Sequence, residues 1–226
     1  FEWVVDRVPT ATEEGSKHQW CTVCGHTLPA VKIPAAAIVG YSDEYDGAYH
    51  TVDATSLPEG ATAQYSTDGK NWSPEAPKIR DAGTLTVAYR VTIDGATAEG
   101  EVTLEVKPRA ITVAADDSSK TYGEADPVFT WTITSGELVE GESLQGLEIE
   151  REDNDNVRDG GYALHLTQAK DANPNYNITF VDGVFTINQR LLTVTWGTSE
   201  FVYDGKEHCP EATLGNVIGE DDLGAT

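Results

Sequence analysis

Apolar and polar residues alternate along three runs in the first half of the chain, at residues 61–66, 84–93 and 101–106. In each run one parity is apolar and the other is polar, which is the pattern of a strand that buries one face in an antiparallel sheet. Asp68-Gly69 and Asp94-Gly95 follow two of these runs, and Asp-Gly pairs favour tight hairpin turns because such turns need positive φ angles. The pattern therefore predicts β-meanders.

The second half of the chain is also predicted to consist of strands. Residues 137–145 could form one helical turn at most, because the glycines within and around them weaken a helix. The last strand of this region is expected to be interrupted by a turn at Asp182-Gly183. The predicted strands are 111–113, 129–134, 147–151, 162–167 and 176–187, followed by 191–194 and 200–203.

The chain repeats itself at a spacing of about eighty residues, and a fixed spacing of this kind indicates an array of like modules. Tyr45-Asp46-Gly47-Ala48-Tyr49-His50 recurs as Tyr203-Asp204-Gly205-Lys206-Glu207-His208, and Tyr122-Gly123 lies between the two copies. We therefore predict four parts, the last of them incomplete. They are a short β module with a Cys-x-x-Cys motif (1–37), an Ig-like β module (38–108), a second β module (109–189) and an incomplete third repeat (190–226).

The composition limits the classes of partner. The 226 residues include 38 acidic and 15 basic side chains, for a net charge of −23. This field repels phosphate groups, so nucleic acid is not expected as a partner, and the acidity is most simply interpreted as a source of solubility. The sequence contains no run of eighteen apolar residues, so we predict no membrane span in this fragment. Three cysteines in a Thr- and Gly-rich chain are typical of an extracellular β-protein.

Several segments resemble known bacterial modules. Segment 110–188, with Lys120-Thr121-Tyr122-Gly123-Glu124-Ala125-Asp126-Pro127, resembles the MBG repeats of bacterial cell-surface proteins. The Tyr-Asp-Gly-x-x-His segments are similar to Ig-like repeats that accompany them, and residues 9–25 resemble a cysteine-containing repeat of surface proteins from Gram-positive gut bacteria. The resemblance implies a non-enzymatic, cell-wall-associated adhesin or stalk. It implies an all-β fold, with Ig-like sandwiches favoured and a β-grasp arrangement as the alternative for the MBG segment.

The opening segment contains the sharpest chemical motif. Cys21 and Cys24 flank a turn that can direct both sulfur atoms to one side, as in half of a tetrahedral zinc site. His18 and His26 would supply the other two ligands, although common zinc modules do not use these spacings. A Cys21–Cys24 disulfide and reduced thiols are the alternatives.

Other candidate sites are weaker. Residues 152–156 and 171–175 gather oxygen ligands in loops and are interpreted as solvated turns, with weak calcium binding as the alternative. Trp72 follows a turn and is the candidate for glycan contact, whereas Trp131 and Trp196 lie in predicted strands and are expected in the core. Cys209 is expected to be buried. His50 and His208 each follow an Asp-Gly turn, and both are expected to fix that turn by hydrogen bonding.

The sequence contains no nucleophile in a motif with an orienting base, so we predict that the chain is not an enzyme. The expected role is that of a spacer or adhesin stalk. The alternatives are an ancillary region of a secreted carbohydrate-active enzyme and a module that itself binds a host glycan or an extracellular protein. The incomplete third repeat is expected to leave an open sheet edge that pairs with another copy of the chain or with the remainder of the repeat.

Overall fold

A computed structural model describes residues 1–219 and contains only strands and loops over that range. The prediction of an all-β chain built from several small sheets is therefore confirmed. The opening segment forms an antiparallel sheet of three strands, with the order β1-β2-β3. These strands are β1 (Glu2–Arg7), β2 (Gly15–Trp20) and β3 (Val31–Ile33).

The opening segment is too short to form a core of its own, and it packs on the next module. Ala36 is completely buried in the core cluster formed by Val87, Tyr89 and Leu104. The backbone N–H of Ala11 also donates a hydrogen bond to the hydroxyl of Tyr89, at 3.3 Å. The apolar residues of the opening segment are thus buried by docking.

Residues 38–108 form one four-stranded sheet, with the order β4-β9-β8-β6, and one short pair, β5-β7. Asp94 and Gly95, with φ angles of 47° and 81°, close the predicted hairpin between the two longest strands. The inward parity of the first of these strands is buried, as its alternation predicts. The strands are β4 (Tyr41–Glu44), β5 (His50–Thr51), β6 (Thr62–Ser66), β7 (Lys78–Ile79), β8 (Gly83–Ile93) and β9 (Ala96–Lys107).

The Asp68-Gly69 turn does not join two adjacent long strands, and that prediction was wrong. β6 pairs with β8, and the turn closes only an isolated bridge between Tyr65 and Ser73. The Asp68 carboxylate accepts the backbone N–H groups of Lys70 and Asn71, each at 2.8 Å. A side chain that satisfies two backbone donors in this way stabilises a turn that is followed by only one bridged residue pair.

Residues 109–189 form two sheets, with the orders β12-β10-β15 and β11-β16-β14-β13. Inward-facing residues of both sheets are buried, among them Val113 and Phe185, each with 0% exposure. Two sheets without a helix are typical of a sandwich and differ from a β-grasp arrangement. The strands are β10 (Arg109–Ala115), β11 (Ser118–Thr121), β12 (Trp131–Ser135), β13 (Leu147–Arg151), β14 (Tyr162–Gln168), β15 (Tyr176–Val181) and β16 (Gly183–Asn188).

Three details of this region differ from the prediction. Strand β11 was missed, because its residues are polar. Asp182 and Gly183 form no hairpin turn, since β15 and β16 belong to different sheets. Gly183 is needed for close approach, because a Cβ atom there would lie 2.6 Å from the carbonyl oxygen of Ala115. Trp131 lies on β12 but is 36% exposed, so it is not a core residue.

The two modules share one unusual feature of topology. Strand β4 runs parallel to β9, and β11 runs parallel to β16 in the same way. The tyrosine that follows each short strand donates its backbone N–H to the last residue of the partner strand: Tyr45 to Lys107 at 2.8 Å, and Tyr122 to Asn188 at 2.9 Å. Tyr45 and Tyr122 are therefore structurally equivalent, as their spacing predicts.

The described part of the third repeat is a single antiparallel pair of β17 (Thr193–Trp196) and β18 (Ala212–Gly215). The predicted strand at 200–203 does not form. Trp196 is 65% exposed and Cys209 is exposed, so the predictions that bury them were wrong. A two-stranded pair cannot enclose apolar side chains. The predicted pairing of this repeat with another copy or with further residues stays a prediction.

The chain divides into two compact units. The first comprises Phe1–Ile111 together with two loops of the second module, Glu137–Leu144 and Asp171–Ile178. The second comprises Thr112–Gly136, Gln145–Lys170 and the residues from Thr179 onward. Two loops of the second module therefore belong to the same compact unit as residues 38–108. The candidate site lies in this unit.

Candidate functional site

The turn that follows β4 begins with a buried tyrosine. Tyr45 is 1% exposed. The carboxylate of Asp46 accepts the N–H of Ala48 at 2.8 Å and bonds Nε2 of His50 at 2.9 Å. Both hydrogen bonds lower the pKa of Asp46, and the one from the backbone N–H of Ala48 is the larger cause. The turn is held closed by its own side chains.

The third repeat builds the same turn. The Asp204 carboxylate accepts the N–H of Lys206 at 3.0 Å and bonds Nε2 of His208 at 2.8 Å. The bond to His208 is the first cause that lowers the pKa of Asp204. The prediction that the two repeated histidines fix their turns is confirmed.

In the first unit, a single carboxylate joins the Tyr45 turn to the loops of the second module. The hydroxyl of Tyr45 donates to Oε1 of Glu142 at 2.5 Å, and the hydroxyl of Tyr176 donates to Oε2 at 2.6 Å. The Tyr176 hydroxyl also accepts the N–H of Val139 at 3.0 Å. The two aromatic rings meet edge to face, with centroids 5.8 Å apart. We call Tyr45, Glu142 and Tyr176 the Glu142 clasp.

The electrostatics of the clasp favour an ionised carboxylate between two neutral phenols. Hydrogen bonds from Tyr176 and Tyr45 lower the pKa of Glu142. Burial, assisted by the bond to Glu142, raises the pKa of Tyr45 to about 12. Hydrogen bonds to a charged group are stronger than neutral ones. The arrangement therefore favours an ionised Glu142 between a neutral Tyr45 and a neutral Tyr176.

Further polar contacts hold the second loop of this unit. The backbone N–H of Ala82 donates to Oδ1 of Asn175 at 2.7 Å, and Nδ2 of Asn175 donates to Asp81 at 3.2 Å. The N–H of Arg109 donates to the carbonyl oxygen of Asn175 at 2.9 Å. Loop 171–178 is thus held through both the side chain and the backbone of Asn175.

A close apolar contact completes this region. Gly47 has a φ angle of 78°, and a Cβ atom at this position would lie 2.7 Å from Cγ1 of Val139. Val139 therefore packs directly against the backbone of the Tyr45 turn. A larger residue at position 47 would require both backbone strain and displacement of the valine.

The second unit contains an ionic cluster that includes two residues of the Tyr122-Gly123 motif. Lys120, whose side chain is 7% exposed, lies 2.7 Å from both Asp126 and Asp155. Arg151 pairs with the same two carboxylates, at 2.7 Å and 3.0 Å. Both cations lie over the Phe185 ring, with Lys120 at 5.9 Å and Arg151 at 5.3 Å from its centroid. The cluster links β11, β13 and the loops after them, so the lysine and aspartate of the motif are structural.

The four predicted zinc ligands do not converge. His18 bonds Asp6 at 2.7 Å, and among residues 1–219 no group of three or more His, Cys, Asp or Glu side chains is placed to hold a metal ion. Cys21 and Cys24 carry free thiols in the structure, and the zinc site and the disulfide both stay predictions. Hydrogen bonds from the Cys24 side chain and backbone lower the pKa of Cys21 to about 7. The structure thus places a half-buried thiol with a lowered pKa at this turn.

Several side chains in the two loops considered for calcium are engaged by other groups of the chain. Glu152 pairs with Arg158 at 2.8 Å, and Asp155 belongs to the cluster around Lys120. In loop 171–175, Asn175 serves the contacts already described. Calcium would have to compete with these cations for the carboxylates, and weak calcium binding in the two loops stays a prediction.

Trp72 is half-buried, and one face of its ring is covered. The guanidinium of Arg90 lies 4.5 Å from the ring centroid. The indole also borders a shallow depression of about 330 Å³ lined by Glu99, Gly100 and Glu101. Trp72 thus borders a depression that two carboxylates also line, and glycan contact at Trp72 stays a prediction.

Sequence reasoning missed the Glu142 clasp and the role of Val139. The signal was present as a second repeat, because Gly136-Glu137-Leu138-Val139-Glu140-Gly141-Glu142-Ser143-Leu144 recurs about eighty residues later as Gly215-Asn216-Val217-Ile218-Gly219-Glu220-Asp221-Asp222-Leu223. The pattern is degenerate, since the two segments share only a first glycine, a last leucine, an aliphatic pair and an acidic residue between them. Only the contacts show which of these positions matter.

Comparison with known proteins identifies the second module. A family model described as MBG domain (YGX type) matches residues 111–186. No curated protein and no solved structure matches the chain significantly. Among the described residues, no helix is long and apolar enough to cross a membrane. MBG repeat domains are generally non-catalytic modules. The lysine, tyrosine, glycine and aspartate of residues 120–126 lie inside the matched range, and residues 111–186 of this chain are therefore similar to an MBG domain of the YGX type.

Proposed function

We propose that this chain is a non-catalytic repeat region of an extracellular, cell-wall-associated bacterial surface protein, and that it acts as an adhesin stalk or ligand-presenting spacer. The MBG domain supports the class of protein. The observation that carries the spacer role is the Glu142 clasp, in which a carboxylate from one module binds tyrosines of two different modules within one compact unit.

A spacer must resist bending between its parts, and the clasp has the physical properties for this. Its carboxylate is ionised, its two donors are phenols with little conformational freedom, and Val139 fills the space over Gly47. Each hydrogen bond to a charged group contributes about 1.5–3 kcal/mol. Free motion of loop 137–144 relative to the Tyr45 turn would break all of these contacts together.

Distance measurements between two spin labels test this role. The three native cysteines are replaced by serine, and labels are attached at the exposed residues Glu101 and Glu140, both in the first unit. We expect a narrow distribution of distances that broadens in Glu142→Ala. Tyr203→Phe is the matched control, because Tyr203 is 94% exposed and should change nothing. A broad distribution that Glu142→Ala leaves unaltered would contradict the spacer role.

The depression beside Trp72 favours a second candidate function, direct binding of a host glycan. Aromatic faces bordered by polar groups are suited to stacking against sugar rings. A glycan array with the intact chain, repeated with Trp72→Ala, decides this. Binding that survives the substitution would show that Trp72 is not the contact.

A further inference from the structure

Two glycine turns of this chain are each contacted by an aliphatic side chain, at a similar distance in both. A Cβ atom on Gly47 would lie 2.7 Å from Cγ1 of Val139, and one on Gly123 would lie 2.6 Å from Cγ1 of Ile218. Both glycines have φ angles near 80°. The first contact lies wholly in the first compact unit and the second wholly in the second unit.

The two aliphatic residues occupy the same place in a repeated loop. Val139 and Ile218 are each the fourth residue of the segments that begin at Gly136 and Gly215. Glu142, which binds Tyr45, corresponds in sequence to Asp221, which lies outside the described residues. The chain therefore uses one type of loop twice, each time against the turn of a preceding tyrosine-glycine motif.

The third turn, residues 203–208, has the same internal structure but no such contact. Gly205 has a φ angle of 79°, as Gly47 does, yet a Cβ atom there would meet nothing within 4 Å among the described residues. Tyr203 is 94% exposed, whereas the equivalent Tyr45 is 1% exposed. The neighbouring Val202 is 89% exposed. The side chains of Val202 and Tyr203 are thus exposed to solvent beside a preformed turn. Exposed apolar surfaces of this kind mark interaction sites.

We propose that the third turn is a docking site for a loop of the 136–144 type, carried by a further MBG-type module. The aliphatic residue of that loop packs over Gly205, and the acidic residue three positions later accepts a hydrogen bond from the hydroxyl of Tyr203. The first turn supplies the template, because Val139 and Glu142 make these two contacts with Gly47 and Tyr45. This assignment goes beyond the spacer role, since it specifies a surface and the chemistry of its partner.

The test uses the intact chain as both donor and acceptor. In Gly47→Val, the new side chain occupies the space of Val139, so loop 137–144 of that molecule becomes available to the third turn of another. Such a contact joins unlike surfaces and continues from molecule to molecule. We expect Gly47→Val to form oligomers whose size increases with concentration in sedimentation experiments, whereas the wild-type chain sediments as a monomer at the same concentrations.

Matched variants identify the surfaces involved. The double variant Gly47→Val/Gly205→Val should stay monomeric, because its third turn is blocked, and Gly47→Val/Val139→Asp should stay monomeric because its loop lacks the aliphatic residue. Association of either double variant to the same extent as Gly47→Val would overturn the proposal. A monomeric Gly47→Val would also overturn the proposal, whether its amide spectrum shows loop 137–144 displaced or still in place.

A second measurement applies if Gly47→Val fails to fold. A synthetic peptide of residues 136–144 is titrated into the isotope-labelled wild-type chain, and we expect saturable shifts confined to the amides of 203–208. The peptide with Val139→Asp should bind roughly tenfold more weakly or worse, since a carboxylate would replace a buried methyl group. Absence of shifts at millimolar peptide, or equal shifts with both peptides, would overturn the proposal. None of these outcomes depends on the width of the distance distribution that tests the spacer role.

Discussion

The hydroxyl group of Tyr45 should be worth several times more to stability than the hydroxyl of its repeat partner Tyr203. In Tyr45→Phe, the buried ring stays and only the hydrogen bond to the Glu142 carboxylate, 2.5 Å long, is lost. A hydrogen bond to a charged group contributes about 1.5–3 kcal/mol, and Glu142 retains its bond from Tyr176. We therefore expect the free energy of unfolding to fall by about 2 kcal/mol. Tyr203→Phe should change it by less than about 0.5 kcal/mol, because that side chain is 94% exposed.

Urea unfolding followed by tryptophan fluorescence and by far-ultraviolet circular dichroism measures the free energy of unfolding of both variants. Comparison of the two signals tests whether the first unit unfolds separately from the second. The double variant Tyr45→Phe/Tyr176→Phe should lose more than the sum of the single losses, since the carboxylate is then left half-buried without a phenol donor. Equal losses for Tyr45→Phe and Tyr203→Phe, or strict additivity in the double variant, would refute the view that Glu142 depends on both tyrosines.

Three further predictions concern charge. Lys120→Met should lower the free energy of unfolding by about 2 kcal/mol in urea titration, because two carboxylates lose the buried cation; an unchanged midpoint would contradict this. Alkylation at Cys21 should rise with a midpoint near pH 7, since the pKa of its thiol is lowered to about 7, and peptide mapping that shows no such midpoint would be evidence against it. Stability should fall in acid as Glu142, whose pKa is lowered, becomes protonated, and should fall again between about pH 10 and 12, where Tyr45, with its raised pKa, ionises; thermal unfolding scans across pH decide whether both losses occur.

Local patterns determined much of this fold. Alternation in residues 84–93 and 101–106, together with the Asp94-Gly95 pair, predicted the longest hairpin, because period-two burial and positive φ angles are properties of neighbouring residues. The same is true of His50 and His208, whose hydrogen bonds reach back only four residues. The spacing of the repeats likewise predicted that Tyr45 and Tyr122 are equivalent.

Other features depended on partners far away in the sequence. Asp182-Gly183 reads as a turn locally, but the chain there passes from one sheet to another, and only the approach of Ala115 shows why a glycine is present. The prediction for Cys21 and Cys24 was undecided for a similar reason, since the motif does not specify where further ligands would come from.

The site itself was decided by tertiary structure. The degenerate repeat of residues 136–144 does not show which of its acids matters, because the partners of Glu142 are the distant residues Tyr45 and Tyr176. Whether a repeated tyrosine is buried or exposed also depends on what packs against it, and residues 45 and 203 differ in this respect although both begin a Tyr-Asp-Gly-x-x-His segment. The sequence by itself therefore determined strands, turns and repeats. Contacts between side chains that are distant in the sequence determined which of the repeated turns is covered by a loop and which is exposed.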